Sequence, residues 1–466
     1  MTYLGYIFVP IGLAGLVLSK KWLYGLFIFW TLFSASSVLN IGSDESGSAV
    51  QVWMLLGAFW LLRLFLDGIR TVSFVLDRRI LRPSLWLVAF LGVASLSLLM
   101  PLYINGSLLI TSPVLGKNTD TPLFLTAHNI TQLMYLCFGI LISIAVAQVN
   151  LQPENRNDTE QVLLFSACIL ALWGLFQFIC NLTGIPYPDF ILNNSGSSSG
   201  KGFIETVEGA GIGRISSATL EPSVLAICLL SLLPLTFPAW IRKGSVFSPL
   251  IDRVISFVLI AVLFLSTSSA AYLGMSILCA VLLPVSVRTK LLSATRAIRI
   301  AAVSSAVTAT LLAVLIASTP ILSVLFNALL VDKASSGSGI ERYMTIQLAF
   351  GYFQKFPILG IGWGSATSHD LIIFLLSNVG VLGALTFLAA MASALHASWR
   401  GMDSLHSPVD LSRVAWFIGL SIFLVNSLLT GFPLSLGSFW VVLGMAIATS
   451  QNGFSPHMED FLRESQ

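Results

Sequence analysis

The feature that most constrains this chain is a succession of apolar runs, each about as long as a helix must be to cross a lipid bilayer. A spanning helix needs about 20 mostly apolar residues. Such runs lie near 3–19, 22–39, 50–66, 84–102, 129–148, 161–181, 219–240, 250–266, 269–287, 300–319, 370–398, 412–431 and 435–450. Only 10% of the residues are charged and 56% are hydrophobic, whereas a soluble domain carries about 25% charged residues. So few charges cannot cover a water-soluble globule of this size. A backbone in lipid must satisfy its own hydrogen bonds, so the runs are expected to be helices. The expected fold is therefore all-α and polytopic: a single transmembrane domain over 1–466 with about 12–13 crossings.

The stretch from 254 to 287 is too long for one crossing and is split at Ser266-Thr267-Ser268-Ser269, a polar tip suited to a tight hairpin. The first run has no basic region before it and no small-residue cleavage site after it, so it reads as a retained helix. The five cysteines, Cys137, Cys168, Cys180, Cys228 and Cys279, lie in or beside apolar runs with no CxxC spacing. They are expected to be buried free thiols.

Orientation follows from Lys and Arg, which concentrate on the cytoplasmic side. Alternate loops carry Lys20, Lys21, Arg70, Arg78, Arg79, Arg82, Arg156, Arg242, Lys243, Arg253, Arg288, Lys290, Arg296, Arg299, Arg400 and Arg413. The other loops carry only Lys117, Lys201, Arg214, Lys333, Arg342 and Lys355, and are assigned to the outer side. Arg63, near the inner end of the third run, is expected to reach the interface with its long side chain. The net charge of +3 gives no sign of a nucleic-acid partner.

Three outer loops are long: about 103–128, about 182–218 and about 320–368, of which the last two are the larger periplasmic loops. Asn193–Gly200 and Ser335–Gly339 have the composition of flexible tracts. Residues 340–356 read as a helix ended by Pro357 and suited to the membrane interface. Gly360-Ile361-Gly362-Trp363-Gly364 has neither the preceding strand nor the βαβ context of a dinucleotide fingerprint and reads as a turn.

The few outer-loop cations stand out. Arg214 precedes the Glu221-Pro222-Ser223 helix start, Arg342 lies in the third loop, and His369 opens the eleventh run. A guanidinium is planar, permanently charged and binds phosphate oxygens in pairs. A histidine takes a proton from a hydroxyl near neutral pH. Two arginines and a histidine therefore fit a sugar transfer in which a lipid diphosphate leaves and a hydroxyl attacks. Each residue also has an ordinary reading. Arg214 can pair with Glu221 or lipid phosphate, Arg342 with Glu341 or Asp332, and His369 can sit idle beside a helix cap. His128, His396, His406 and His457 are less suggestive. Asp44-Glu45 is the acidic pair nearest to a metal-site pattern, but it is adjacent and short, so no metal or other cofactor is assigned.

Three stretches in this order resemble the O-antigen ligase and O-antigen polymerase family. They are Arg214–Ser223, Leu265–Gly274, and Glu341-Arg342 through Phe356–Gly364 into Ser368-His369-Asp370 and Asn378–Gly383. The resemblance covers about residues 210–390. It implies a metal-independent, inverting glycosyltransferase at the outer face of the bacterial inner membrane, taking glycan from undecaprenyl diphosphate. It also implies that Arg214 and Arg342 hold the diphosphate, that His369 activates the acceptor hydroxyl, and that Glu221 supports Arg214. Membrane lipid and an undecaprenyl-diphosphate-linked oligosaccharide are the implied partners, with a chain-length regulator expected beside them. Many members have an arginine where this chain has Ser269, and His-Asn where it has His369-Asp370. The Glu-Pro-Ser start and the serine-rich second stretch look more like polymerases of O-antigen or exopolysaccharide repeats than like ligases. The ligase, with lipid A core as acceptor, is the nearest alternative, and a lipid-glycan transporter is the alternative of another class.

Overall fold

Fifteen helices and two short hairpins make up what is described in a computed structural model of the chain, which covers residues 1–41, 48–71, 76–114, 117–195, 213–241, 244–289, 295, 299, 337–400, 402, 408–431 and 433–449. The helices are α1 Tyr3–Val17, α2 Lys20–Trp30, α3 Val52–Thr71, α4 Arg78–Ser97, α5 Leu99–Ile104, α6 Ala127–Val149, α7 Pro153–Thr183 and α8 Pro222–Leu232. They continue with α9 Phe237–Trp240, α10 Pro249–Leu265, α11 Ser269–Arg288, α12 Gly337–Lys355, α13 Leu371–Arg400, α14 Pro408–Thr430 and α15 Gly437–Thr449. Among the described residues, eight helical segments are long and apolar enough to cross a membrane. The chain is a mostly helical, multi-pass membrane protein. The expected run 300–319 and the acidic pair Asp44-Glu45 lie outside the described residues.

Most expected runs are found within a few residues. The hairpin tip falls where Ser266-Thr267-Ser268 interrupts the apolar pattern, with α10 ending at Leu265 and α11 starting at Ser269. The helix expected over 340–356 is α12. The run near 219–240 is α8, a 3-10 turn over Leu233–Thr236 and α9, because Pro234 and Pro238 each remove a backbone donor.

Three runs differ. The second, expected to stay helical to 39, ends at Trp30. Its last residues form strand β1 Ser37–Ile41, which pairs antiparallel with β2 Ser48–Gln51. Ser34–Ser37 is buried and bonds to distant backbone: Ala35 N–H donates to Ala218 O at 3.2 Å and Ser36 Oγ to Leu192 O at 2.6 Å. The sixth run starts two turns early, at Pro153, because its polar residues are satisfied inside the bundle. The Glu160 carboxylate accepts from Trp416 Nε1 at 2.8 Å and from Ser412 Oγ. In the first long loop, β3 Leu109–Val114 and β4 Lys117–Pro122 form a hairpin. It rests on α12, where Tyr352 Oη accepts from Thr111 N–H at 2.8 Å.

In lipid, helices associate by close packing rather than by expulsion of water. Here α4 lies along α13, α6 along α15, and α14 against α8, α11 and α15. Trp53, Trp60, Trp363, Trp416 and Trp440 are fully buried between them. At the ends of α2, α3, α4 and α7 the larger set of cations is joined by acids, with Lys20–Asp67 at 3.5 Å, Lys21–Asp158 at 2.6 Å and Arg79–Asp77 at 2.8 Å. Arg63, expected to reach the interface, pairs with Asp67 at 3.3 Å and donates to Leu16 O.

Candidate functional site

Arg214 sits on a loop clamped onto the end of α7. Gln177 Oε1 accepts from Ser216 N–H at 3.0 Å and Ser217 N–H at 2.7 Å, and Ser217 Oγ donates to Leu170 O at 2.6 Å. Asn193 Nδ2 donates to Ser217 O at 2.9 Å. Ser217 is thereby held at φ 55, a left-handed conformation that costs a non-glycine residue on the order of 1–3 kcal/mol. The loop then enters α8 through Glu221 at the N-cap and Pro222 at the first helical position, where a missing N–H costs nothing. The Glu221 carboxylate accepts from Ser223 Oγ at 2.8 Å.

The α10–α11 hairpin supplies the second wall. Thr267 is also left-handed, at φ 48. Tyr272, one turn into α11, donates to Phe264 O at 3.0 Å, and the Arg214 guanidinium lies within electrostatic reach of its phenol.

The third wall is a broken helix and the loop that mends it. Within α13 the backbone leaves the helical conformation at Gly380, with φ 64 and ψ −167. Helix bonds are lost there, and in lipid each loss needs a substitute. The loop between α12 and α13 supplies them. Val381 N–H donates to Pro357 O at 2.8 Å and Leu382 N–H to Ile358 O at 3.4 Å. In return Ile361 N–H donates to Ser377 O at 2.8 Å and Gly362 N–H to Asn378 O at 3.1 Å. The Asn378 amide closes the loop, accepting from Ser365 N–H at 2.9 Å and Ala366 N–H at 3.0 Å and donating to Ala366 O at 3.0 Å. The loop turns this tightly because Gly360, Gly362 and Gly364 all take positive φ, which glycine alone adopts without strain. Trp363 between them is buried edge-on against Phe90 and Phe374. The expectation of a turn here holds, and the turn is a buried structural part.

This loop delivers His369 to α12. Asp370 caps α13, its carboxylate accepting from Ile373 N–H at 2.8 Å, so the acid at this position has a local task. One residue earlier, His369 Nδ1 lies 2.9 Å from Thr345 Oγ1, one turn along α12 from Arg342. Burial, and then the Arg342 guanidinium, hold the His369 imidazole down at about 4. Glu341 is pushed up, first by burial and then by the Glu221 carboxylate, with Arg342 opposing. Gly431, just past the end of α14, backs His369: a side-chain carbon built there would stand 3.5 Å from its Cα and 3.7 Å from its Cδ2.

Arg342 and His369 are thus brought together around Thr345, the Glu221 carboxylate acts electrostatically on Glu341, and Arg214 lies within electrostatic reach of Tyr272. Thr345, Glu341, Tyr272 and Gly431 were not expected in the site. Thr345 was legible only as the residue three beyond Arg342, on the same helical face. Among the described residues, no three His, Cys, Asp or Glu side chains gather closely enough to hold a metal ion. A neutral imidazole beside a permanent cation can take a proton from a hydroxyl while the cation holds an anion. No family model matches the chain, and no curated protein matches it either.

Proposed function

We propose that this protein is a membrane glycosyltransferase of the O-antigen polymerase type, moving glycan from undecaprenyl diphosphate to a sugar hydroxyl on another lipid-linked repeat. The observation that carries the reading is His369 held against Thr345 of α12, one turn from Arg342, with its basicity lowered by burial and by the Arg342 guanidinium. The acceptor oxygen attacks the anomeric carbon from the face opposite the diphosphate. The carbon–oxygen bond to the diphosphate breaks with inversion, the electron pair leaves on undecaprenyl diphosphate, and the hydroxyl proton passes to His369. Arg342 and Arg214 stabilise the charge on the departing diphosphate, and Glu221 supports Arg214.

The low basicity of His369, set by burial first and by Arg342 second, fits this sequence of events. Arg342 opposes a second positive charge on His369. A bound diphosphate reverses the local charge and makes the imidazole a better base only when the donor is present. The site faces the periplasm in this reading, because the cation-rich loops lie at the other ends of the helices. The described spans carry their few charges near their ends, which favours an enzyme at the surface over a transporter with a polar site at mid-membrane. A chain-length regulator is the expected protein partner.

The test uses purified protein in lipid vesicles with a lipid-linked repeat as both donor and acceptor. His369→Ala is expected to abolish chain growth, and Arg342→Lys to fail also, because the charge stays but the paired geometry goes. Normal growth in both variants removes the proposal. Growth only when lipid A core is supplied assigns the ligase reading instead.

A further inference from the structure

We infer that Thr345 is a positioning residue that fixes the tautomer of His369, holding the proton on Nδ1 and presenting Nε2 as the base; the catalytic meaning of this rests on the function proposed above. The argument is one of proton counting. The Thr345 hydroxyl has one hydrogen. It lies 2.9 Å from Arg342 O, a carbonyl that can only accept, and 2.9 Å from His369 Nδ1. With the hydrogen committed to Arg342 O, the contact to the ring is satisfied only if Nδ1–H donates to Oγ1. The neutral ring then has its lone pair on Nε2.

The setting holds this arrangement in place. Thr345 is 4% exposed, so water does not compete for its oxygen. A β-branched residue on a helix is stiff about χ1, and the bond back to Arg342 O locks the hydroxyl further. The imidazole is kept neutral by burial and by Arg342, so a tautomer exists to be chosen. Free histidine prefers its proton on Nε2, the form with no lone pair there. Thr345 therefore reverses the default. Thr345 bonds to the ring, the Arg342 guanidinium acts on it from the same helix, and Gly431 beyond α14 lies against it. Ser368 Oγ accepts from Asp370 N–H at 3.2 Å and the Asp370 carboxylate caps Ile373. Thr345 is the group in hydrogen-bond contact with the ring nitrogen.

The experiment is nitrogen NMR of the full-length protein labelled at histidine, in lipid nanodiscs near pH 7, with the His369→Ala spectrum used to assign the signal. The wild type is expected to give a protonated Nδ1 and a bare Nε2. Thr345→Ser keeps the oxygen and is expected to keep the pattern. Thr345→Val keeps the shape, loses the acceptor, and is expected to shift His369 to the Nε2–H form or a mixture. In the transfer assay Thr345→Val should lower kcat by about tenfold to a hundredfold with little change in KM, and Thr345→Ser should restore it. A wild type with the proton on Nε2, or a Thr345→Val ring unchanged from wild type, overturns the inference. If Thr345→Val does not fold, the wild-type spectrum alone decides. Because the spectrum needs no substrate, a correct tautomer with full transfer in His369→Ala would sink the proposed function and leave this inference standing.

Discussion

Substituting Gly380 by Ala tests whether the break in α13 holds the site together. Gly380 sits at φ 64 and ψ −167, a region essentially closed to residues with a side chain. A Cβ there would stand 2.2 Å from Ile358 O and 2.5 Å from Leu359 N. Both are backbone atoms and cannot swing aside. The helix can escape by straightening at the substituted position and recovering its own bonds. The loop cannot: its bonds through Ile361 N–H, Gly362 N–H, Pro357 O and Ile358 O all depend on the break. At roughly 1 kcal/mol net per bond, seating the loop loses at least about 4 kcal/mol, or about a thousandfold in its opening equilibrium. Hydrogen exchange read by mass spectrometry over 357–366 should accelerate by about that factor, and His369 should part from Thr345. Gly351→Ala is the control. It lies inside α12 with nothing within 4 Å of a built Cβ, and should be neutral or stabilising by about 0.5–1 kcal/mol. Exchange in Gly380→Ala within tenfold of wild type, with an unchanged melting temperature, would refute the reasoning.

Three more outcomes follow from the site. The proposed transfer needs a neutral His369, and in the free protein its imidazole is held at about 4, by burial first and Arg342 second. The pH profile of kcat/KM, which reports the free enzyme, should therefore stay level from neutral down to about pH 5 and fall as pH drops through about 4; an acid limb near 6.5 would contradict the assignment. Removing Arg342 should move the titration of His369 upward, measurable by NMR in the ligand-free protein. Gln177→Leu takes the acceptor from Ser216 and Ser217, costing roughly 2–6 kcal/mol in the Arg214 loop. It should raise KM for the lipid-linked donor while leaving the His369 titration in place; a parallel loss of both would mean the walls are not separate.

What the sequence makes legible here is whatever follows from local pattern. The apolar runs locate the helices, and four small polar residues locate the α10–α11 tip, because a run of Ser and Thr breaks hydrophobic continuity wherever it occurs. What is not legible depends on partners far along the chain. Ser34–Ser37 looks like the end of an apolar run until Ala218 and Leu192 supply backbone partners. Glu154, Arg156, Asp158 and Glu160 look like a loop until Trp416 and Ser412 satisfy the last of them inside the bundle. Thr345 gives no signal, since a threonine bonded to a carbonyl of its own helix is ordinary. Arg214, Arg342 and His369 stand out for the opposite reason: they are basic side chains in loops that carry few others.

The breaks and the chemistry have one physical cause. Ion-binding and proton-accepting groups must meet near lipid without exposing bare backbone, and an unbroken helix offers no free N–H or C=O to hold a loop. This chain opens α13 at Gly380 and strains the loop ahead of α8 at Ser217, and both points are held by partners from elsewhere. The segment that answers Gly380 leads into His369, and the loop that Gln177 and Asn193 hold at Ser217 carries Arg214. Satisfying the backbone therefore also sets where the imidazole and that guanidinium stand. It follows that a substitution healing the Gly380 break should damage the proposed transfer more than a substitution of equal cost in the packed interior, because it releases the segment that carries His369 as well as destabilising the fold.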